Sequence, residues 1–121
     1  MQSPAILILD YEEAVRDSIQ LILRDEGYRC FALGDERRVP ELLKEEDISI
    51  IILDSELAVK TELLSEVKET HPGIKFIVIS SYAALETCRL ALVKQADEFI
   101  LKPLDFDELI DLVEKLFVNK A

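Results

Sequence analysis

The sequence predicts a doubly wound α/β sandwich of three layers, with a parallel five-stranded sheet of order 2-1-3-4-5 between two layers of helices. Three observations point there. Short apolar runs alternate strictly with longer amphipathic stretches along the 121 residues, a pattern that calls for right-handed crossovers and helices on both faces of one sheet. The runs are apolar at consecutive positions, as in Ala5-Ile6-Leu7-Ile8-Leu9, which suits strands covered on both sides rather than one. The composition, 50% hydrophobic and 32% charged, is that of a chain able to bury a core. One domain over 1–121 is expected, with no repeat, low-complexity tract or linker.

Taken in order, Ala5 to Leu9 forms the first strand. From Glu12 to Glu26, Val15, Ile19, Ile22 and Leu23 recur at helical spacing, and Gly27 is the natural stop. Tyr28 to Leu33 is a more polar strand, expected at an edge. Asp35 is placed to cap a helix running to Glu46, with Val39, Leu42 and Leu43 inward and Pro40 in the first turn, where its missing N–H is harmless. Ile48 to Leu53 is the third strand. One helix follows from Val59 to Thr70, ended by His71-Pro72-Gly73. Ile74 to Ile79 is the fourth strand, Ala83 to Lys94 the fourth helix and Glu98 to Leu101 the fifth strand. Asp105 to Val118 is the last helix, with Leu109, Leu112, Val113 and Leu116 as its buried stripe. The count, five strands and five helices, describes a (βα)5 flavodoxin-like fold.

Charge and motif content exclude several functions. Asp plus Glu outnumber Lys plus Arg by 25 to 14, a net charge of −11. Phosphate backbones and anionic membranes repel such a chain, so direct nucleic-acid or membrane binding is not expected. The longest purely apolar run, Ile50 to Leu53, is too short to span a bilayer. The Met-Gln-Ser-Pro start has no basic flank and no signal peptide is expected, which suggests a cytoplasmic location. The glycines Gly27, Gly34 and Gly73 are isolated, so neither dinucleotide nor Walker-type phosphate loops can form. Cys30, Cys88 and the single histidine His71 build no thiol or imidazole zinc site. The cysteines read as small half-buried residues, and His71 as a turn residue.

Ligands in doubly wound sheets sit at the carboxyl ends of the strands. Asp10 follows the first strand, Asp54 the third, Ser80 the fourth and Lys102-Pro103 the fifth. In the order 2-1-3-4-5 Asp10 and Asp54 are neighbours. Two carboxylates repel by about 4 kcal/mol at 4 Å and an effective dielectric of 20. A divalent cation or an ammonium group between them offsets that. Mg²⁺ suits such a place, because it takes one or two carboxylates and keeps several waters. Lys102 supplies a compact cation and Ser80 a hydroxyl donor. An acid pair, a hydroxyl and a lysine around one ion make a site that accepts a phosphoryl group: one carboxylate attacks phosphorus while the others neutralise its oxygens. Each carboxylate also reads, singly, as an ordinary loop or capping residue.

Four pieces carry a resemblance over Ala5 to Phe117. They are Ile6-Leu7-Ile8-Leu9-Asp10 with Glu12; Ile51-Ile52-Leu53-Asp54; Ile77-Val78-Ile79-Ser80-Ser81-Tyr82; and Ala96-Asp97-Glu98-Phe99-Ile100-Leu101-Lys102-Pro103. In this order the chain resembles the receiver domains of two-component response regulators. The resemblance implies that Asp54 is the phosphoacceptor and that Asp10, Asp54 and the backbone carbonyl of Glu56 hold Mg²⁺. It makes Lys102 the phosphate-contacting lysine, Ser80 the switch hydroxyl, Phe99 the aromatic that turns on phosphorylation, and Lys102–Pro103 a cis peptide. A sensor histidine kinase or phosphotransfer protein would donate the phosphoryl group. The surface of the fourth helix, fifth strand and last helix would then engage an output domain or a second receiver. The resemblance implies the role of a switch rather than of an enzyme.

Three departures stand out. Tyr11 occupies the place of a second acid that in receivers usually binds the metal directly. The segment Ser55-Glu56-Leu57-Ala58-Val59-Lys60-Thr61 lacks the family's proline and glycine and reads one or two residues short, with the Glu56 side chain expected to project towards the phosphoryl group. Leu101 replaces a small polar residue. The first two support an alternative of a different class: a degenerate receiver that is never phosphorylated and acts as a protein-interaction module. A flavin carrier of the same fold is a poor reading, since the carboxylates of Asp10-Tyr11-Glu12-Glu13 cannot cradle a flavin phosphate as a Ser/Thr-rich loop does.

Overall fold

The computed structural model of the chain describes residues 4–84, 86 and 95–118. Five strands form one parallel sheet of order β2-β1-β3-β4-β5, as the alternation of apolar runs and amphipathic stretches requires. The elements are β1 (Ala5–Leu9), α1 (Glu13–Asp25), β2 (Arg29–Leu33), α2 (Val39–Glu45), β3 (Ile48–Asp54), α3 (Ser55–Lys60), α4 (Leu63–Thr70), β4 (Lys75–Ser80), β5 (Glu98–Leu101) and α5 (Phe106–Val118). No helix among the described residues is long and apolar enough to cross a membrane.

The sheet divides the core in two. Strand side chains alternate between faces, so Leu7, Leu9, Ile51, Leu53, Phe76 and Val78 meet α2, α3 and α4. Ile6, Ile8, Ile50, Ile52, Ile77 and Ile79 meet α1 and α5 on the other side. Every residue of β1 is buried, and each fully buried aliphatic side chain contributes about 1.5–3 kcal/mol. The more polar β2 lies at an edge. Gly27 closes α1 with φ +94°, a left-handed conformation that side chains resist.

Two expected helices differ from the sequence reading. Asp35 does not cap α2. It accepts from the Arg37 N–H at 2.9 Å and pairs with the Arg37 guanidinium at 2.8 Å, so the chain makes a local turn and α2 begins only at Val39. The helix expected over 59–70 is two helices. α3 starts at Ser55, directly after β3, and α4 starts at Leu63. Thr61 separates them: its hydroxyl donates to the Leu57 carbonyl (2.8 Å) and accepts from the Leu63 N–H (3.3 Å). Of the helix expected from Ala83 to Lys94, the described residues 83, 84 and 86 are helical and the remainder, with Cys88, lies outside the described residues.

Candidate functional site

The carboxyl ends of β1, β3 and β5 bring Asp10, Asp54 and Lys102 together. β1 and β3 are neighbours, with Leu9 beside Leu53, so the residues following them share one end of the sheet. β5 pairs Leu101 with Ser80, and the Lys102 N–H donates to the Ser80 carbonyl at 2.8 Å. That register delivers the Lys102 ammonium to Asp54 Oδ1, at 3.0 Å. The Lys102–Pro103 peptide is cis.

The two carboxylates are held differently. Asp54 is the N-cap of α3: its Oδ2 accepts from the Glu56 N–H at 2.8 Å while Oδ1 takes Lys102. Asp10 is 4% exposed. Its Oδ1 accepts from the Glu12 N–H at 2.8 Å, whereas Oδ2 is buried with no partner. Burial raises the Asp10 carboxyl above the usual carboxylate range; the Glu12 N–H opposes the rise, the Asp54 charge adds to it, and Lys102 partly offsets it. Burial pulls the Lys102 ammonium down, but the hydrogen bond and charge of Asp54, with Asp10 and Glu12, outweigh it and leave it raised. Capping and clustering therefore coexist at Asp54, whereas Asp10 caps no helix and closes a local turn through Glu12.

Ser80, at the end of β4, is the strand neighbour of Leu101. Ser80 is buried, and its hydroxyl donates to the Ser81 carbonyl at 3.0 Å. Phe99 is half-buried and packs against the face of the sheet that carries α2, α3 and α4. Tyr11 is 46% exposed. The Glu56 carbonyl, expected among the metal ligands, belongs to the first turn of α3. The group Glu56 presents to Asp54 is its N–H, and its carboxylate pairs instead with Lys60 Nζ at 2.6 Å on exposed α3.

Arg16 belongs to no motif and escapes sequence reasoning. Its Nη1 donates to the carbonyls of Asp10 (2.8 Å) and Tyr11 (3.2 Å). The only sequence signal would have been an arginine one turn into the helix that follows the first acid.

An orphaned, buried carboxylate oxygen beside a second carboxylate is what a hard cation needs. By that chemistry Asp10 and Asp54 are the residues that would hold a Mg²⁺ ion. Among the described residues no group of three or more His, Cys, Asp or Glu is arranged to hold a metal.

The chain is similar to known proteins along nearly its whole length. A curated relative, the transcriptional regulatory protein ZraR of Escherichia coli K12, is 30% identical over 116 residues, 94% of this chain and 26% of its own length. The putative response regulator NtrX-like of Rickettsia typhi is 32% identical over 114 residues, 91% of this chain and 24% of its own. The chain thus spans about a quarter of these relatives. Among solved structures, the CheY-like receiver domain protein of Methanospirillum hungatei is similar with a TM-score of 0.84 and 28% identity, over 98% of this chain and 97% of that one. NtrX of Brucella abortus gives 0.86 and 30%, over 99% of this chain and 27% of its own. The model of the response regulator receiver domain matches residues 6–114; with the flavodoxin-like sheet and an acid pair facing a lysine at its carboxyl end, the chain belongs to the response regulator receiver domain family.

Proposed function

We propose that this receiver accepts a phosphoryl group on Asp54 from a histidine kinase or phosphotransfer protein, with Mg²⁺ bound by Asp10 and Asp54. The observation that carries the reading is the Asp54 carboxylate held 3.0 Å from Lys102 beside the unpartnered oxygen of Asp10. An Asp54 oxygen attacks phosphorus, and the donor's P–N bond breaks with its electron pair leaving on the imidazole. Bound Mg²⁺ supplies charge neutralisation for the phosphoryl oxygens. Lys102 leaves Asp54 to meet one of those oxygens, and Ser80 turns its hydroxyl from the Ser81 carbonyl to donate to another. Lys102 lies at the end of β5, so its movement and that of Phe99 alter the surface around β5 and α5. An output domain or a second receiver reads that surface. The receiver is a switch acting in the cytoplasm, with no contact of its own to nucleic acid or membrane.

The test is intact-mass spectrometry after incubation with acetyl phosphate and Mg²⁺, beside Asp54→Asn and an EDTA control. One added phosphoryl group, lost in both controls, supports the reading. No gain in a folded protein supports the second reading, a phosphorylation-independent interaction module. Tyr11 in place of a further acid favours that reading, since it subtracts a carboxylate from the metal's ligands.

A further inference from the structure

We propose that Arg16 is the positioning residue of the acid pocket: seated against Gly34, it fixes the loop after β1 and so aims the Asp10 carboxylate at Asp54. The consequence for phosphoryl transfer rests on the reading of Asp54 as acceptor; the positioning itself does not.

Arg16 engages three successive carbonyls. Its guanidinium Nη1 donates to Asp10 at 2.8 Å and to Tyr11 at 3.2 Å, and its backbone N–H donates to Glu12 at 3.1 Å. In a trans peptide the C=O and the following N–H point in opposite directions. Holding the Tyr11 carbonyl on the α1 side therefore directs the Glu12 N–H to the other side, where it meets Asp10 Oδ1 at 2.8 Å. With Oδ1 fixed, Oδ2 is left as the buried oxygen without a partner. The geometry forms one relay, from guanidinium to carbonyl, from N–H to carboxylate.

Two further observations separate this from incidental packing. In a chain with 25 acidic residues, Arg16 forms no ion pair with any described residue and takes main-chain oxygens instead. Space is also reserved for it: a Cβ on Gly34 would stand 3.1 Å from Nη1 and 3.5 Å from Cζ. Gly34 has no left-handed φ that would itself demand glycine. Its lack of a side chain serves the guanidinium.

The experiment is residue-resolved amide exchange on the full chain, for wild type, Arg16→Gln, Arg16→Lys and Gly34→Ala. The expected result is exchange of the Glu12 amide about tenfold faster in Arg16→Gln, the effect of one lost hydrogen bond, with Ile51 and Val78 unchanged. Arg16→Lys, with a compact ammonium, restores part of the protection. Gly34→Ala, which removes no hydrogen-bonding group, reproduces the change about severalfold by displacing Nη1. In parallel, Arg16→Gln should raise the Mg²⁺ concentration that half-saturates acetyl-phosphate labelling of Asp54 without lowering the plateau rate. Unchanged Glu12 exchange in Arg16→Gln, or equal acceleration of all amides, overturns the proposal. If wild type takes up no phosphoryl group, the acceptor reading falls and the exchange measurements still decide the role of Arg16.

Discussion

Replacing Asp54 by Ala or by Asn separates its capping role from its charge. Both substitutions remove the carboxylate charge, and with it the 3.0 Å ion pair with Lys102 and the repulsion from Asp10. Where Asn turns its NH2 toward Lys102, the part-exposed lysine side chain swings to water, so these contributions largely cancel in the comparison. The remaining difference is the acceptor for the Glu56 N–H, at 2.8 Å. Asn presents a carbonyl oxygen there and Ala presents nothing. Loss of an N-cap acceptor costs about 1 kcal/mol, within a range of about 0.5–2. Asp54→Ala should therefore unfold in urea about 1 kcal/mol more easily than Asp54→Asn, or about 3–5 °C lower in Tm for a domain of this size. The amides of Leu57 and Ala58 should exchange faster in the Ala variant, since α3 is only six residues long and its first turn hangs on that cap. Equal stability of the two variants, with equal exchange in α3, would refute the assignment of Asp54 as the cap.

Asp10→Asn should stabilise the protein at neutral pH by about 1 kcal/mol, because it removes a buried charge with an unpaired oxygen. The sign follows from the raised Asp10 carboxyl: the native state holds its proton more tightly than the unfolded chain. Wild-type stability thus falls as pH rises from 3.8 through the raised native value, and Asp10→Asn flattens that slope in urea titrations. Burial pushes the Cys30 thiol up to about 11 from 9.0. In a Cys88→Ser background Cys30 should be alkylated at pH 8 about a hundredfold more slowly than an ordinary thiol, and stability should decline between pH 9 and 11; rapid labelling by mass spectrometry would contradict this. Lys60→Ala should shift the urea midpoint by less than about 0.5 kcal/mol despite its 2.6 Å contact with Glu56, as both side chains are exposed. Leu57→Ala, at a fully buried position, should destabilise by about 2–4 kcal/mol in the same assay.

The strands were legible because each is a dense apolar run, and a sheet buried on both faces leaves no other place for such runs. Strand-end logic likewise brought Asp10, Asp54 and Lys102 to one place without knowledge of any distance. What escaped was decided by single hydrogen bonds. Thr61 ends α3 and opens α4 through its hydroxyl, with no glycine or proline to announce a break. Asp35 prefers the nearby Arg37 to the start of a helix. Arg16 acts through main-chain oxygens, which no residue pattern encodes.

The division of the core by the sheet has a consequence for how changes combine. Leu7 and Ile8 are adjacent in the chain yet face opposite clusters, whereas Leu7 and Val67 share one although 60 positions apart. Side chains that share no neighbours contribute independently, and those that do interact. Substitutions at Leu7 and Ile8 should accordingly be nearly additive, while one at Leu7 can be worsened or rescued by another at Val67. The sheet acts as a partition between two separately adjustable halves. Size changes on the α1 and α5 side can accumulate while the packing under α2, α3 and α4 stays as it is.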